Sequence, residues 1–181
     1  MRKSICKWFF AWDFDKEEKW LNNMAAKGLA LVAVHGICYT FEQSEPGEYG
    51  IRIELLNELP SFPESEQYIR FLEGTGAEHI GSTLRWVYFR KKKVNGEFDL
   101  FSDYNCRVRH LNRVLWLLVP VSLIFISGSI NFTFRFLDGM RDPAVAAITL
   151  LEIAFLILII YGIIRLLILK HRLKKEHRLY E

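Results

Sequence analysis

Hydrophobic and polar positions change rhythm several times along the chain, and each rhythm predicts an element. Ile5 to Trp12 is apolar on both faces except at Lys7, the pattern of a central strand covered on two sides with its aromatics in the core. From Asp15, with Glu18 as its capping-box partner, Trp20, Leu21, Met24 and Ala25 fall on one helical face until Gly28 stops the helix. Leu29 to Val34 reads as a strand and His35-Gly36 as a turn. Ile37, Tyr39 and Phe41 alternate with Cys38, Thr40 and Glu42. Past the Pro46-Gly47 turn, Tyr49, Ile51, Ile53 and Leu55 alternate with Gly50, Arg52 and Glu54, so both stretches are half-buried strands of an antiparallel meander. Beyond Pro60 to Pro63, Tyr68, Ile69, Phe71 and Leu72 line a second helix stopped by Gly74 and Gly76, and the element order begins to repeat. Glu78 to Ser82 forms a short strand. Leu84 to Lys91 forms a stronger one, with Trp86 and Tyr88 on one face and Val87 and Phe89 on the other. The order β-α-β-β-β-α-β-β predicts an α+β domain over residues 1–101, a mostly antiparallel sheet with two helices on one face in a ferredoxin-like arrangement.

The rhythm then stops. Two continuous apolar runs, 114–134 and 143–164, flank a short polar stretch, 135–142, and each is about as long as a helix needs to cross a hydrocarbon core of roughly 30 Å. They predict a two-helix transmembrane hairpin, preceded by a helical juxtamembrane linker at 102–113 that Ser102 or Asp103 caps, and followed by a tail at 165–181.

Charge gives the hairpin a direction. Residues 1–106 carry 13 basic and 16 acidic side chains (13 − 16 = −3), and residues 107–181 carry 11 and 5 (11 − 5 = +6), which together make the net +3 of the chain. Arg107, Arg109 and Arg113 precede the first span, and Arg165 with the tail cations follows the second. The 135–142 stretch balances Arg135 and Arg141 against Asp138 and Asp142. The positive-inside rule then places both termini in the cytoplasm of a two-span protein of the cell membrane, with the hairpin tip outside. The N-terminus has a basic start but no sustained apolar stretch or small-residue cleavage site, so it is not read as a signal peptide. Cys6, Cys38 and Cys106 are odd in number, widely spaced and assigned to a reducing compartment, so free thiols are expected.

Candidate chemistry is sparse. Glu152 lies about nine residues into the second span, roughly 13 Å deep, where an acid faces a partner helix or a cavity. An antiparallel hairpin turning near Asp138-Gly139 sets it opposite Phe125 and within a turn of Ser122 and Ser129, an intramembrane polar seam. The simplest role for that seam is to hold helices together; transport or sensing is the alternative. Ser127-Gly128-Ser129 adds a patch for close helix packing and Pro120 a potential kink. Phe132, Phe134 and Phe136 are read as anchors at the outer interface, Trp116 at the inner one. In the tail, Lys170, Arg172, Lys174, Lys175 and Arg178 form a basic cluster positioned to touch anionic lipid.

Other patterns lead to no chemistry. His35 and His79 lack the spacing partners of a zinc site, so no metal is expected. Gly74-x-Gly76 lacks the dinucleotide fingerprint and ends a helix, so no cofactor is expected either. Glu17, Glu18, Asp13 and Asp15 occupy a first helical turn, where the macrodipole favours acids, and are assigned no catalysis. The aromatics Trp8, Trp12, Trp20, Trp86, Tyr39, Tyr49 and Tyr88 admit a small-molecule pocket between sheet and helix, with core packing as the simpler reading. Lys91-Lys92-Lys93 beside aromatic strands is a feature of RNA-binding sheets, but the acidic balance of the domain argues against nucleic acid.

Lys7 to Tyr104 resembles the bacterial domain of unknown function 2812 family, whose members often carry transmembrane segments after this domain. The resemblance rests on Trp8-Phe9-Phe10, on Glu17 to Leu21 and Met24 to Gly28, on Tyr39 to Glu42 and Gly47 to Tyr49, and on Trp86 to Lys92. Leu29 departs from the aromatic expected there. The family brings no established activity. The resemblance implies company with PadR-type transcription regulators, which fits envelope sensing. With no catalytic constellation, the expected function is a non-enzymatic, membrane-anchored sensor or adaptor that binds a protein partner or small ligand. Membrane lipids are further partners, and association, as a homo-oligomer or with another protein, runs through the hairpin. The alternative is an oligomeric transporter or channel subunit built around Glu152.

Overall fold

The computed structural model describes residues 2–95, 104–137 and 143–180. The chain divides into two units, Met1–Cys106 and Arg107–Glu181. The first is α+β. It comprises β1 (Arg2–Cys6), a 3-10 turn (Ala11–Asp13), α1 (Phe14–Ala26), β2 (Leu29–His35), β3 (Cys38–Gln43), β4 (Tyr49–Leu55), α2 (Pro63–Gly74), β5 (Glu78–Thr83) and β6 (Trp86–Lys92).

The six strands form two antiparallel three-stranded sheets, β1-β3-β2 and β4-β6-β5, where the sequence suggests one ferredoxin-like sheet. Each is a strand-helix-strand-strand unit with its last strand in the middle. The second repeats the first at a spacing of 49 residues (63 − 14 for the helices, 78 − 29 for the strands that follow). The halves meet along β2 and β5. A Cβ on Gly81 would lie 3.3 Å from the Val34 carbonyl oxygen, and the Arg90 guanidinium donates to the Leu31 carbonyl at 2.9 Å, so the absence of a side chain lets the two backbones approach.

The helices do not follow the repeat. Helix α1 lies over a core that draws on both sheets: Leu21 and Ala25 pack with Leu31, Val34, Tyr39 and Phe41 from one and with Ile51, Ile53 and Tyr88 from the other. Helix α2 presses Ile69 and Leu72 against Val87 and Phe89, the opposite side of β6, and its Phe71 is exposed instead of sharing the predicted face. The two helices therefore sandwich the second sheet.

Helix α1 also seals an edge. Ile51 N–H donates to Asn22 Oδ1 at 3.0 Å, Asn22 Nδ2 donates back to the Ile51 carbonyl at 2.8 Å, and Ile53 N–H donates to Glu18 Oε2 at 3.0 Å. Side chains of the helix thus take the pairing positions of a missing strand on β4, which protects the edge. This replaces the predicted capping role of Glu18, whose other oxygen binds Arg52 at 3.0 Å. The stop at Gly28 is as expected: it has a φ of +79°, and a Cβ there would sit 2.9 Å from the Ser44 carbonyl oxygen.

Two further expectations are corrected. Ile5 to Trp12 is not a central strand. β1 ends at Cys6 on the edge of its sheet, Trp8 is exposed, and the chain leaves the sheet after Lys7 N–H bonds to the Ile37 carbonyl. Cys6 and Cys38 are not free thiols either: β1 pairs with β3 in a register that sets them directly opposite, and they form a disulfide. That pairing joins non-neighbouring segments, so spacing in the sequence does not reveal it. The thiol expected at Cys106 lies outside the described side chains.

In the second unit, α3 (Tyr104–Leu137) and α4 (Pro143–Tyr180) are each long and apolar enough to cross a membrane, over Arg107–Phe134 and Pro143–Lys175. Pro120 lies inside α3, which continues through it. Phe125 stacks on Phe155 with 5.9 Å between centroids, and Lys170 Nζ donates to Asn112 Oδ1 at 2.8 Å, contacts that run the helices antiparallel. The predicted caps Ser102 and Asp103 and the turn at Asp138-Gly139 lie outside the described residues.

Candidate functional site

The first unit carries an aromatic cleft of about 180 Å³ where the chain leaves β1 and enters α1. Phe9, Phe10 and Ala11 line it from that connection, Phe14 and Glu17 from the first turns of α1, and Gly36 and Ile37 from the β2–β3 turn. Tyr39 contributes from β3, and Thr83, Trp86 and Tyr88 from β5 and β6. Phe9, Phe10, Ala11 and Phe14 thus wall a cleft, whereas Trp12 among them is buried. A wall and a core filling have the same composition, which is why the pattern predicts a buried strand.

Rings brace one another around the opening. Phe10 stacks on Trp12 at 4.7 Å between centroids, Phe14 meets Trp86 at 5.9 Å and Tyr39 meets Tyr88 edge to face at 6.3 Å. Outside the wall, Lys7 Nζ lies 4.9 Å from the ring centres of both Phe9 and Trp20.

The polar centre of the lining is Glu17, a carboxyl only 8% exposed. Tyr39 Oη donates to its Oε1 at 2.6 Å and Tyr88 Oη donates to the same oxygen at 2.8 Å. Among the described residues no hydrogen-bond donor reaches Oε2, and no lysine, arginine or histidine lies within ion-pair distance of the carboxyl. Burial holds the carboxyl above its ordinary range, with the two tyrosine bonds acting in the opposite direction. The tyrosines respond in kind. Burial, and after it the bond to Glu17, pushes the Tyr39 hydroxyl up, and burial with the nearby Glu17 charge does the same to Tyr88. A second polar atom in the lining, the buried Thr83 Oγ1, has no partner among the described residues.

The repeat explains the convergence on Glu17. Tyr39 and Tyr88 are also 49 residues apart (88 − 39) and occupy the middle strand of each sheet, so the two halves each present one hydroxyl to the carboxyl. The counterpart of Glu17 in the second half, Glu66 (17 + 49), is half-exposed by side chain and pairs with Arg70 at 3.5 Å, so of these two counterparts only Glu17 is enclosed. In the sequence Glu17 reads as an acid of the first helical turn, where the macrodipole favours it. The signal for its burial is spacing: Glu17, Leu21 and Ala25 follow one another at four-residue steps, a carboxyl on the buried stripe.

The sequence-derived site residues lie in the other unit. Glu152 rests against Gly128, where a Cβ would be 3.2 Å from both carboxyl oxygens, three residues along from the expected Phe125. Glycine leaves room for the carboxyl, and the larger Phe125 meets Phe155 instead. The serines of the seam bond within their own helix: Ser122 Oγ donates to the Val119 carbonyl at 2.7 Å and Ser129 Oγ to the Phe125 carbonyl at 2.9 Å. In the tail, Lys170 is engaged by Asn112, whereas Arg172, Lys174 and Lys175 are exposed; the side chain of Arg178 lies outside the described residues.

The family described as "Protein of unknown function (DUF2812)" matches residues 13–123, from the N-cap residue of α1 into α3. No curated protein and no solved structure matches the chain.

Proposed function

The chain belongs to the DUF2812 family, whose description assigns no chemistry, and from that premise we propose that it is a non-enzymatic, small-ligand-binding sensor module anchored in a membrane by its α3–α4 hairpin. The aromatic cleft around Glu17 carries this reading. Binding pockets combine apolar and aromatic walls with a few convergent polar groups, and this cleft has six ring-bearing side chains, one enclosed carboxyl and one buried hydroxyl without a partner among the described residues. About 180 Å³ suits a fragment of roughly the size of a small aromatic molecule, since a cavity of about 150 Å³ holds benzene.

The lengths and composition of α3 and α4 support the anchor, and the charge excess on their outer flanks supports a cytoplasmic module whose exposed Arg172, Lys174 and Lys175 meet anionic lipid. A module of this kind reports ligand occupancy to a protein partner in envelope regulation. Native mass spectrometry of the full chain, extracted from its own membrane in mild detergent, tests the reading. A bound small molecule that is lost from Ala11→Trp, a variant that fills the cleft, supports it. A ligand-free wild type, or equal occupancy in both proteins, contradicts it.

A further inference from the structure

We propose that the ligand of this cleft is a monovalent organic cation, such as a quaternary ammonium with a small apolar body, and that Glu17 is its counter-ion. The inference rests on the ligand-binding reading above and names the chemical class that the cleft selects.

Three observations point the same way. Glu17 is buried in the lining with no basic residue within ion-pair distance, so the charge of its carboxylate has no counter-charge among the described residues. Tyr39 and Tyr88 both fix Oε1 and leave Oε2 without a donor, an arrangement that orients one oxygen and keeps the other for a visitor. Six of the other lining residues are aromatic, and aromatic rings attract cations through their faces while repelling anions.

Competing ligand classes fit less well. An anion would enter a lining that contains a carboxyl and no basic side chain. A neutral apolar molecule would leave Oε2 of that carboxyl shielded from water and without a donor. A hard metal ion requires six or more oxygen ligands, or several carboxylates, and no group of three acidic or other metal-ligating side chains occurs among the described residues. An organic cation needs one carboxylate and aromatic surroundings, and the cleft sets its one carboxyl among six aromatic side chains.

Three probes of similar bulk separate these classes: phenyltrimethylammonium, its neutral carbon isostere tert-butylbenzene, and the anion benzenesulfonate. Each is titrated calorimetrically into the full chain in lipid nanodiscs, with empty nanodiscs subtracted. The expected result is saturable binding of the cation in preference to both others. Glu17→Gln, which keeps an acceptor for both tyrosines, should weaken the cation about tenfold to a hundredfold, the worth of a charge-assisted contact. It should leave tert-butylbenzene unchanged or slightly tighter. Preference for the neutral isostere, or cation binding untouched by Glu17→Gln, overturns the cation assignment while the cleft remains a binding site. Binding of none of the three overturns both the assignment and the reading on which it rests.

Discussion

Tyr88 donates to Glu17 Oε1 across 71 residues of sequence, at 2.8 Å, and so ties the middle strand of the second sheet to the helix that follows the first strand. With Tyr39 on the same oxygen, the bond places a titratable group where the two halves of the repeat meet.

The first prediction concerns stability and pH. The folded state holds the Glu17 carboxyl above its ordinary value of 4.5, and the titratable groups that touch it are Tyr39 and Tyr88. Between the unfolded and the raised folded value the native state binds more protons, so Glu17 makes stability fall as pH rises through that window. Glu17→Gln should flatten the slope and equal or exceed wild-type stability at pH 8. Urea denaturation of both proteins at several pH values, followed by tryptophan fluorescence, measures it.

The tyrosine donors should matter when the carboxyl is charged. Tyr88→Phe removes one of two donors to a buried acid and should cost about 1 to 3 kcal/mol. It should also raise the Glu17 value further. In Glu17→Leu the same tyrosine substitution should cost less, and a double-mutant cycle gives the coupling. Equal losses in both backgrounds would mean that the hydroxyl acts elsewhere.

How far these residues were legible differs by element. Strict alternation marked β3 and β4, and a one-sided apolar face ending in Gly28 marked α1, because local rules decide those elements. The cleft was legible only in part: Tyr39, Trp86 and Tyr88 stand among the aromatics that admit a pocket, whereas Phe9, Phe10 and Phe14 look alike whether they wall an opening or fill a core. Glu17 looked like a helix-start acid because its neighbours Asp15 and Glu18 sit beside it in sequence, whereas its tyrosine partners come from distant strands. The two-sheet arrangement likewise depends on pairing between segments that periodicity cannot connect.

The disulfide lends itself to a direct test. Cys6 and Cys38 close a 32-residue separation, and loop-closure entropy assigns such a link about 3 to 4 kcal/mol. Reduction, or Cys6→Ser with Cys38→Ser, should lower stability by about that amount. Thiol trapping in intact cells measures its state in place. In the reducing cytoplasm proposed for the module, the bond should exchange with the thiol pool and its occupancy should change with the redox poise of the cell; a bond that stays fully oxidised there would count against the cytoplasmic placement.

The hairpin seam predicts a graded series. Gly128→Ala brings a Cβ to 3.2 Å from the Glu152 oxygens, which the flexible end of a glutamate can yield to, so the effect should be small. Gly128→Leu and Glu152→Leu should both separate the helices at that level, and Glu152→Gln should keep them together. Cysteines at positions 125 and 155, whose rings stack at 5.9 Å, report the separation as loss of crosslinking.

The central claim is that Glu17 is a held carboxyl awaiting a cation, and a carbonyl-carbon NMR titration of the glutamates, with Glu17 assigned by its loss in Glu17→Gln, tests it most directly. In the free protein Glu17 should titrate above the ordinary 4.5, and saturating phenyltrimethylammonium should lower its midpoint, because the cation favours the ionised form. By the same linkage, cation affinity should rise with pH through the free-protein midpoint. A Glu17 midpoint at or below 4.5, or one that the cation leaves unmoved, would contradict it.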